Sequence, residues 1–216
     1  MLGALQLAFI DSVNLLLIGV IVAVGIAARS NYAKTTALLI AGDWCGVAGL
    51  ALIMLVIFDG LGPVVQRFVE GPVFGILLIA TGILTAILAL RGGDNQALVQ
   101  KIMRPLHTPG PATVATGVVL GLIQSATSMP FYGGLALLSA AGLDAQVRYA
   151  AIPLYATVAL SLPTLAALAV GWVRAKPHSA AARGFDWARA HPSQVTAAAT
   201  WAVAVLLIVL GVTHVM

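Results

Sequence analysis

Four polar side chains stand in stretches of sequence that are otherwise oily: Asp11, Asn14, Asp43 and Gln124. An Asp at the centre of a membrane helix costs about 2.5–3.5 kcal/mol on insertion scales, so its presence calls for an ion path, a proton relay or a paired packing contact. Asp11 and Asn14 are three positions apart and share one helix face, together with Gly3 and Gln6. Gly117, Gly121, Gln124 and Ser128 form a comparable stripe, as do Thr157, Ser161 and Thr164, while Thr36 and Asp43 share a face with Gly46 close by. Convergence of these faces encloses a polar pocket at mid-depth, where a carboxylate stripped of water takes and releases a proton or accepts a cation. The residues assigned to this substrate or ion pathway are Asp11, Asn14, Asp43, Gln124, Ser125, Ser128 and Ser161. The same side chains admit a second reading, as buried glue in which Asp11 and Asp43 pair with Asn14, Gln124, Trp44 or Ser and Thr hydroxyls.

Other chemistry is poorly provided for. Cys45 is the only cysteine, which excludes an intrachain disulfide and a multi-cysteine metal site and leaves it as a small packing residue. His107, His178, His191 and His214 fall in loops or at the end of the chain, away from any intramembrane metal or hydrolytic site. No nucleophile–base pair can be assembled from spacing. The expectation is a protein that is not an enzyme and that carries no cofactor and no metal.

The elements that would hold these side chains are membrane helices. Of 216 residues, 61% are hydrophobic and 8% charged, where a soluble domain carries roughly a quarter charged. Such a chain cannot clothe a globule in polar groups, which excludes a soluble enzyme, a nucleic-acid module and a disordered tail. Crossing a bilayer takes about 20 mostly apolar residues, and six stretches qualify: Leu2–Ala28, Thr35–Phe58, Pro72–Leu90, Ala112–Ala141, Tyr149–Val173 and Val195–Val215. Strand alternation is absent, so the fold class expected is an all-α integral membrane protein of six transmembrane helices. Pro130 predicts a kink or break in the fourth, and Pro153 and Pro163 the same in the fifth. No cleavable signal peptide is expected, because the first apolar run is much longer than a signal core.

Placing both termini outside puts nine basic residues on the inner side and only Arg67 and Arg148 outside, which satisfies the positive-inside rule for a multi-pass protein of the inner (plasma) membrane. The +4 net charge therefore reports topology, and the partner is the lipid bilayer, with no nucleic acid. Residues 92–111 form an inner linker punctuated by Pro105, Pro109, Gly110 and Pro111, separating a first three-helix unit at 1–91 from a second at 112–216. Asp94–Arg104 and Ser179–Ala190 have the mixed character of short helices on the inner leaflet or of solvated linkers. Gly42-x-x-x-Gly46, Gly71-x-x-x-Gly75 and Gly117-x-x-x-Gly121 permit close helix contacts, compatible with a homodimer or a larger envelope complex.

At an offset of 113 residues, Phe9-Ile10-Asp11-Ser12-Val13-Asn14 lies over Leu122-Ile123-Gln124-Ser125-Ala126-Thr127. Each half holds three spans, an odd number, so the second copy enters the membrane from the opposite side and the repeat is inverted. Inverted repeats place a substrate site near the midplane where broken helices of the two halves meet.

The segment Leu7-Ala8-Phe9-Ile10-Asp11-Ser12-Val13-Asn14, running into Ile18-Gly19 and a basic loop, with Gln124-Ser125-Ala126-Thr127-Ser128-Met129-Pro130 reopening the second half, resembles the lysine exporter superfamily. The nearest likeness is to its glycolipid-addressing branch. That resemblance implies an exporter-like fold of two three-helix repeats, with Asp11, Asn14, Gln124 and Ser125 on the substrate path and an envelope lipid or other amphiphile as cargo. Leu15-Leu16-Leu17 occupies the place of the Gly-Pro-Gly element of the amino-acid exporters, and Cys45 alone cannot serve as the paired cysteines of the electron-carrying relatives. The leading expectation is a proton-linked secondary transporter or exporter of an amphiphile or small solute. The rivals are a non-transporting accessory or scaffold subunit of a larger membrane complex, a cation transporter and, behind these, a membrane enzyme.

Overall fold

The computed structural model describes residues 2–27, 31–91, 106, 108–176, 179, 183, 184, 186, 187 and 190–215. The chain is all-helical, with no strand among the described residues. The helices are α1 (Leu2–Asp11), α2 (Leu15–Ala27), α3 (Tyr32–Gly60), α4 (Gly62–Glu70), α5 (Pro72–Arg91), α6 (Pro111–Ala126), α7 (Met129–Ser139), α8 (Ala145–Ala150), α9 (Ile152–Ala159), α10 (Ser161–Ala175) and α11 (Pro192–Val215).

Among the described residues, only α3 is, unbroken, long and apolar enough to cross a membrane. Its 29 residues span about 44 Å at 1.5 Å per residue. Four further crossings arise if bent pairs count as single spans: α1 with α2 at 46°, α4 with α5 at 62°, α6 with α7 at 77°, and residues 145–159 with α10 at 42°. Within α11, a helix of 24 residues, the described apolar stretch is Ala204–Thr213. Of the six expected spans, the described residues thus give one continuous helix and up to four bent ones.

The bends have local causes. In the first stretch, expected to be unbroken, the Asn14 side chain accepts from the Leu17 amide at 2.9 Å and starts a new helix, as short polar side chains do when they compete with the backbone for its donors. In the fourth, Ser128 accepts from the Phe131 amide at 3.2 Å and starts α7. Pro130 occupies the first turn of that helix, where its missing N–H is no loss. The proline therefore opens a helix; it does not kink one. Pro153 and Pro163 likewise sit in the first turns of α9 and α10. The proposed inner-leaflet segment Asp94–Arg104 lies outside the described residues, as do most of the linker 92–111 and much of Ser179–Ala190.

Packing joins the two halves of the chain. Helix α3 lies along α6, α2 against α10, α1 against α7 and α9, and α5 along α11. The α3–α6 crossing brings backbone against backbone. A Cβ placed on Gly117 would strike the α3 backbone at Leu39, Gly42 and Asp43, and one on Gly42 would strike the Val114 backbone. Gly46 and Gly121 interlock in the same way one turn further on. Of the three glycine pairs, Gly42/Gly46 and Gly117/Gly121 therefore act together, whereas Gly71 ends α4 and only Gly75 meets a partner, Gly211. Gly117→Val is expected to lower stability by about 1–3 kcal/mol, the usual range for overpacking, because no flexible side chain is there to yield. A detergent melting curve would show the drop, and an unchanged midpoint would contradict this packing.

Candidate functional site

Five of the seven residues assigned from sequence meet where the two broken helices cross. Asp11 closes α1 and accepts a hydrogen bond from the Ser128 hydroxyl, the cap of α7. Asn14, the cap of α2, donates through its amide to the Gln124 carbonyl in the last turn of α6. The Gln124 amide nitrogen then donates to both oxygens of Asp43, at 3.0 and 3.1 Å. Gln124 has an acceptor on one side and a donor on the other, so its amide has one satisfying orientation. Asp43, at mid-length in α3, is 0% exposed; Asn14 is buried and Asp11 partly so. Each cap thus serves its own helix and also binds the opposite half of the chain.

Two assigned residues stay outside this network. Ser125 is fully buried in α6 and Ser161 begins α10, and the hydroxyl of each is buried with no partner among the described residues. The Thr stripe on the fifth stretch is largely self-satisfied. Thr157 and Thr164 donate to the carbonyls of Pro153 and Leu160, four residues back, as Thr36 does to Tyr32, a local bond common for hydroxyls in helices. Trp44, considered as a partner for the acids, donates to Thr157 at 3.2 Å.

A cavity of about 820 Å³ opens on another face of α3, between that helix and α10. Cys45, expected to be a packing residue, is exposed and lines it. Asp11 and Asp43 do not. Among the described residues no group of His, Cys, Asp or Glu is arranged to hold a metal ion.

Sequence reasoning missed a second polar knot, at the far end of α3. Arg148 donates to Asp59 at 2.9 Å and to the Ser139 carbonyl at 3.1 Å, while the Ser139 hydroxyl donates to the other Asp59 oxygen at 2.7 Å. This clasp ties α3, α7 and α8 together. Its signal was available: Arg148 is one of only two basic residues placed outside, and Asp59 is the acid that immediately follows the second stretch. Arg148→Gln is expected to lower stability by roughly 1–3 kcal/mol, since Asp59 then loses a charged partner. Melting of the Asp59→Asn/Arg148→Gln pair should recover part of the loss; strict additivity of the two substitutions would show that they do not interact.

No family model, no curated protein and no solved structure matches the chain.

Proposed function

We propose that the chain is a multi-pass protein of the plasma membrane, with both termini outside, that acts as a proton-linked secondary transporter or exporter. The observation that carries this reading is the crossing of two broken helices whose caps and acids bond across the halves: Asp11 with Ser128, and Asn14 with Gln124 and Asp43. Broken helices meeting at a polar site are the usual construction of a midplane transport site. The contacts also fit an inverted repeat. At the offset of 113 residues α6 corresponds to α1, α7 to α2 and α9–α10 to α3, so the α3–α6 contact has its counterpart in α1–α9, the α2–α10 contact in α3–α7, and the α5–α11 contact maps onto itself. Leu52, Ile53, Val56, Ile76, Leu84 and Leu168 are among many large apolar side chains left exposed, a surface suited to lipid.

In this reading Asp11 carries the proton or cation and Asp43 is a second acid. Asn14 and Gln124 orient the pair, and one half rocks against the other. The Asp59–Arg148 clasp holds one end of the bundle shut while the cavity between α3 and α10 opens near the other. The cargo is an envelope amphiphile or small solute, in keeping with the resemblance to the lysine exporter superfamily.

A second reading, a non-transporting scaffold subunit, is favoured by one observation: each acid is met by a donor and the cavity does not reach Asp11. A comparison of lipids and metabolites in envelope and medium, with and without the protein, separates the two. Transport requires a compound that changes sides; redistribution of a membrane complex with unchanged lipids would support the scaffold.

A further inference from the structure

The cavity between α3 and α10 has features that the polar cluster does not use. Its volume, about 820 Å³, falls in the range of ligand pockets, roughly 300–1,000 Å³. Along α3, Ala33, Ala37 and Ala41 hollow out one wall, and Gly171 on α10 leaves room opposite. The polar atoms of the walls are already engaged. Thr36 and Thr164 bond their own helices, and the Tyr32 hydroxyl donates to the Ala167 carbonyl at 2.9 Å, bridging α3 to α10. A water molecule there would find few partners, so the natural occupant is apolar.

The end of the cleft is different. The Arg174 guanidinium stands 5.1 Å over the ring of Tyr32 and donates to the Gly25 carbonyl. Lys176 Nζ stands 4.4 Å over the ring of Trp172. Lys34 is exposed in the first turn of α3, beside the lining residue Ala33. Tyr32 and Trp172 are themselves lining residues, so the cations crown the cleft. No carboxylate lines it, and the ion pair seen among the described residues joins Arg148 to Asp59, elsewhere. Aromatic rings with cations reaching past them are the pattern of a membrane interface.

We infer that this cleft binds an anionic lipid, one acyl chain lying between α3 and α10 and the acidic headgroup resting on Lys34, Arg174 and Lys176. An oily trough ending in positive charge that no carboxylate among the described residues pairs with complements an amphiphile with a negative head. A neutral lipid would leave the cations unmatched, and a soluble anion would leave the trough empty. The site rests on the reading of the chain as membrane-embedded, but not on its transporting anything.

The test uses the full chain carrying Trp187→Phe and Trp201→Phe, so that Trp44 and Trp172, both in the cleft, report alone. It is reconstituted in phosphatidylcholine vesicles containing a minor fraction of brominated phosphatidylglycerol or, separately, brominated phosphatidylcholine. Brominated phosphatidylglycerol is expected to quench at lower mole fraction. Lys34→Gln and Lys176→Gln should each weaken that preference about fivefold. Gly171→Leu should remove the preference by filling the trough. A Cβ there meets only Tyr32, at 3.5 Å, so the variant is expected to fold, and its melting midpoint checks that. Equal quenching by the two lipids would overturn the site. So would a preference that survives Gly171→Leu, or one that millimolar inorganic phosphate abolishes, since the headgroup alone would then be what binds. Quenching by neither lipid would instead defeat the membrane reading.

Discussion

Gln124→Leu is expected to cost about 3–5 kcal/mol of stability, the largest effect of any single substitution in the polar cluster. Gln124 makes three bonds at once: it accepts from Asn14 and donates to both oxygens of Asp43. Asp43 is wholly buried, so water cannot replace the lost amide. Leaving a buried carboxylate without its partner is far more costly than the original bond was worth. The decisive comparison is the double variant Asp43→Leu/Gln124→Leu. Replacing both members of a buried polar pair with apolar groups is often close to neutral, so the double variant should recover at least half of the loss, with a remainder from the orphaned Asn14 amide. Melting curves in one detergent give the coupling energy. A double variant no better than the single one would mean that Gln124 acts through something other than Asp43. The folded double variant also separates the two functional readings: a scaffold keeps its role without these groups, and a transporter falls silent.

How much of this could be read in advance depended on whether the determinant was local. Pro130, Pro153 and Pro163 announced breaks, because a proline restricts its own residue and the one before it. They could not say that each would sit in the first turn of a new helix, since that depends on the neighbouring cap, Ser128 in one case. The bend at residues 12–14 carries no proline, and the polar run there read as a stripe on a continuous helix. What made it a break was Asn14 bonding the Leu17 amide, a choice that also supplies Gln124 with a donor. Polar residues in oily stretches singled out five side chains that the fold brings together, since their cost demands partners. The partnerships themselves span 81 to 117 positions, beyond the reach of any periodicity. Glycine spacing named the two motifs that interlock but equally named Gly71, whose role is to end a helix. The cleft was not legible, because it is made of small residues whose meaning depends on what lies opposite.

Asp11→Asn is expected to leave the fold intact and to abolish proton-coupled movement. The two side chains have the same shape, and the Ser128 hydroxyl can donate to an amide oxygen as it does to the carboxylate. The α7 cap, in which Ser128 accepts from the Phe131 amide, is untouched, so melting should shift by no more than about 1 kcal/mol. What disappears is a group able to gain and lose a proton at the crossing of the broken helices. The assay is movement of fluorescent phosphatidylglycerol between leaflets of reconstituted vesicles, with and without an imposed pH gradient. Wild type should respond to the gradient, and Asp11→Asn should fall to the rate of protein-free vesicles in both conditions. Asp11→Glu, which keeps the titrating group, should restore part of the response, an outcome that a merely structural role for Asp11 would not produce. Flux in Asp11→Asn that still follows the gradient would take the proton away from Asp11. The neighbouring acid Asp43 would then be the carrier, and Asp11 would remain as the anchor that holds the cap of α7 against the end of α1.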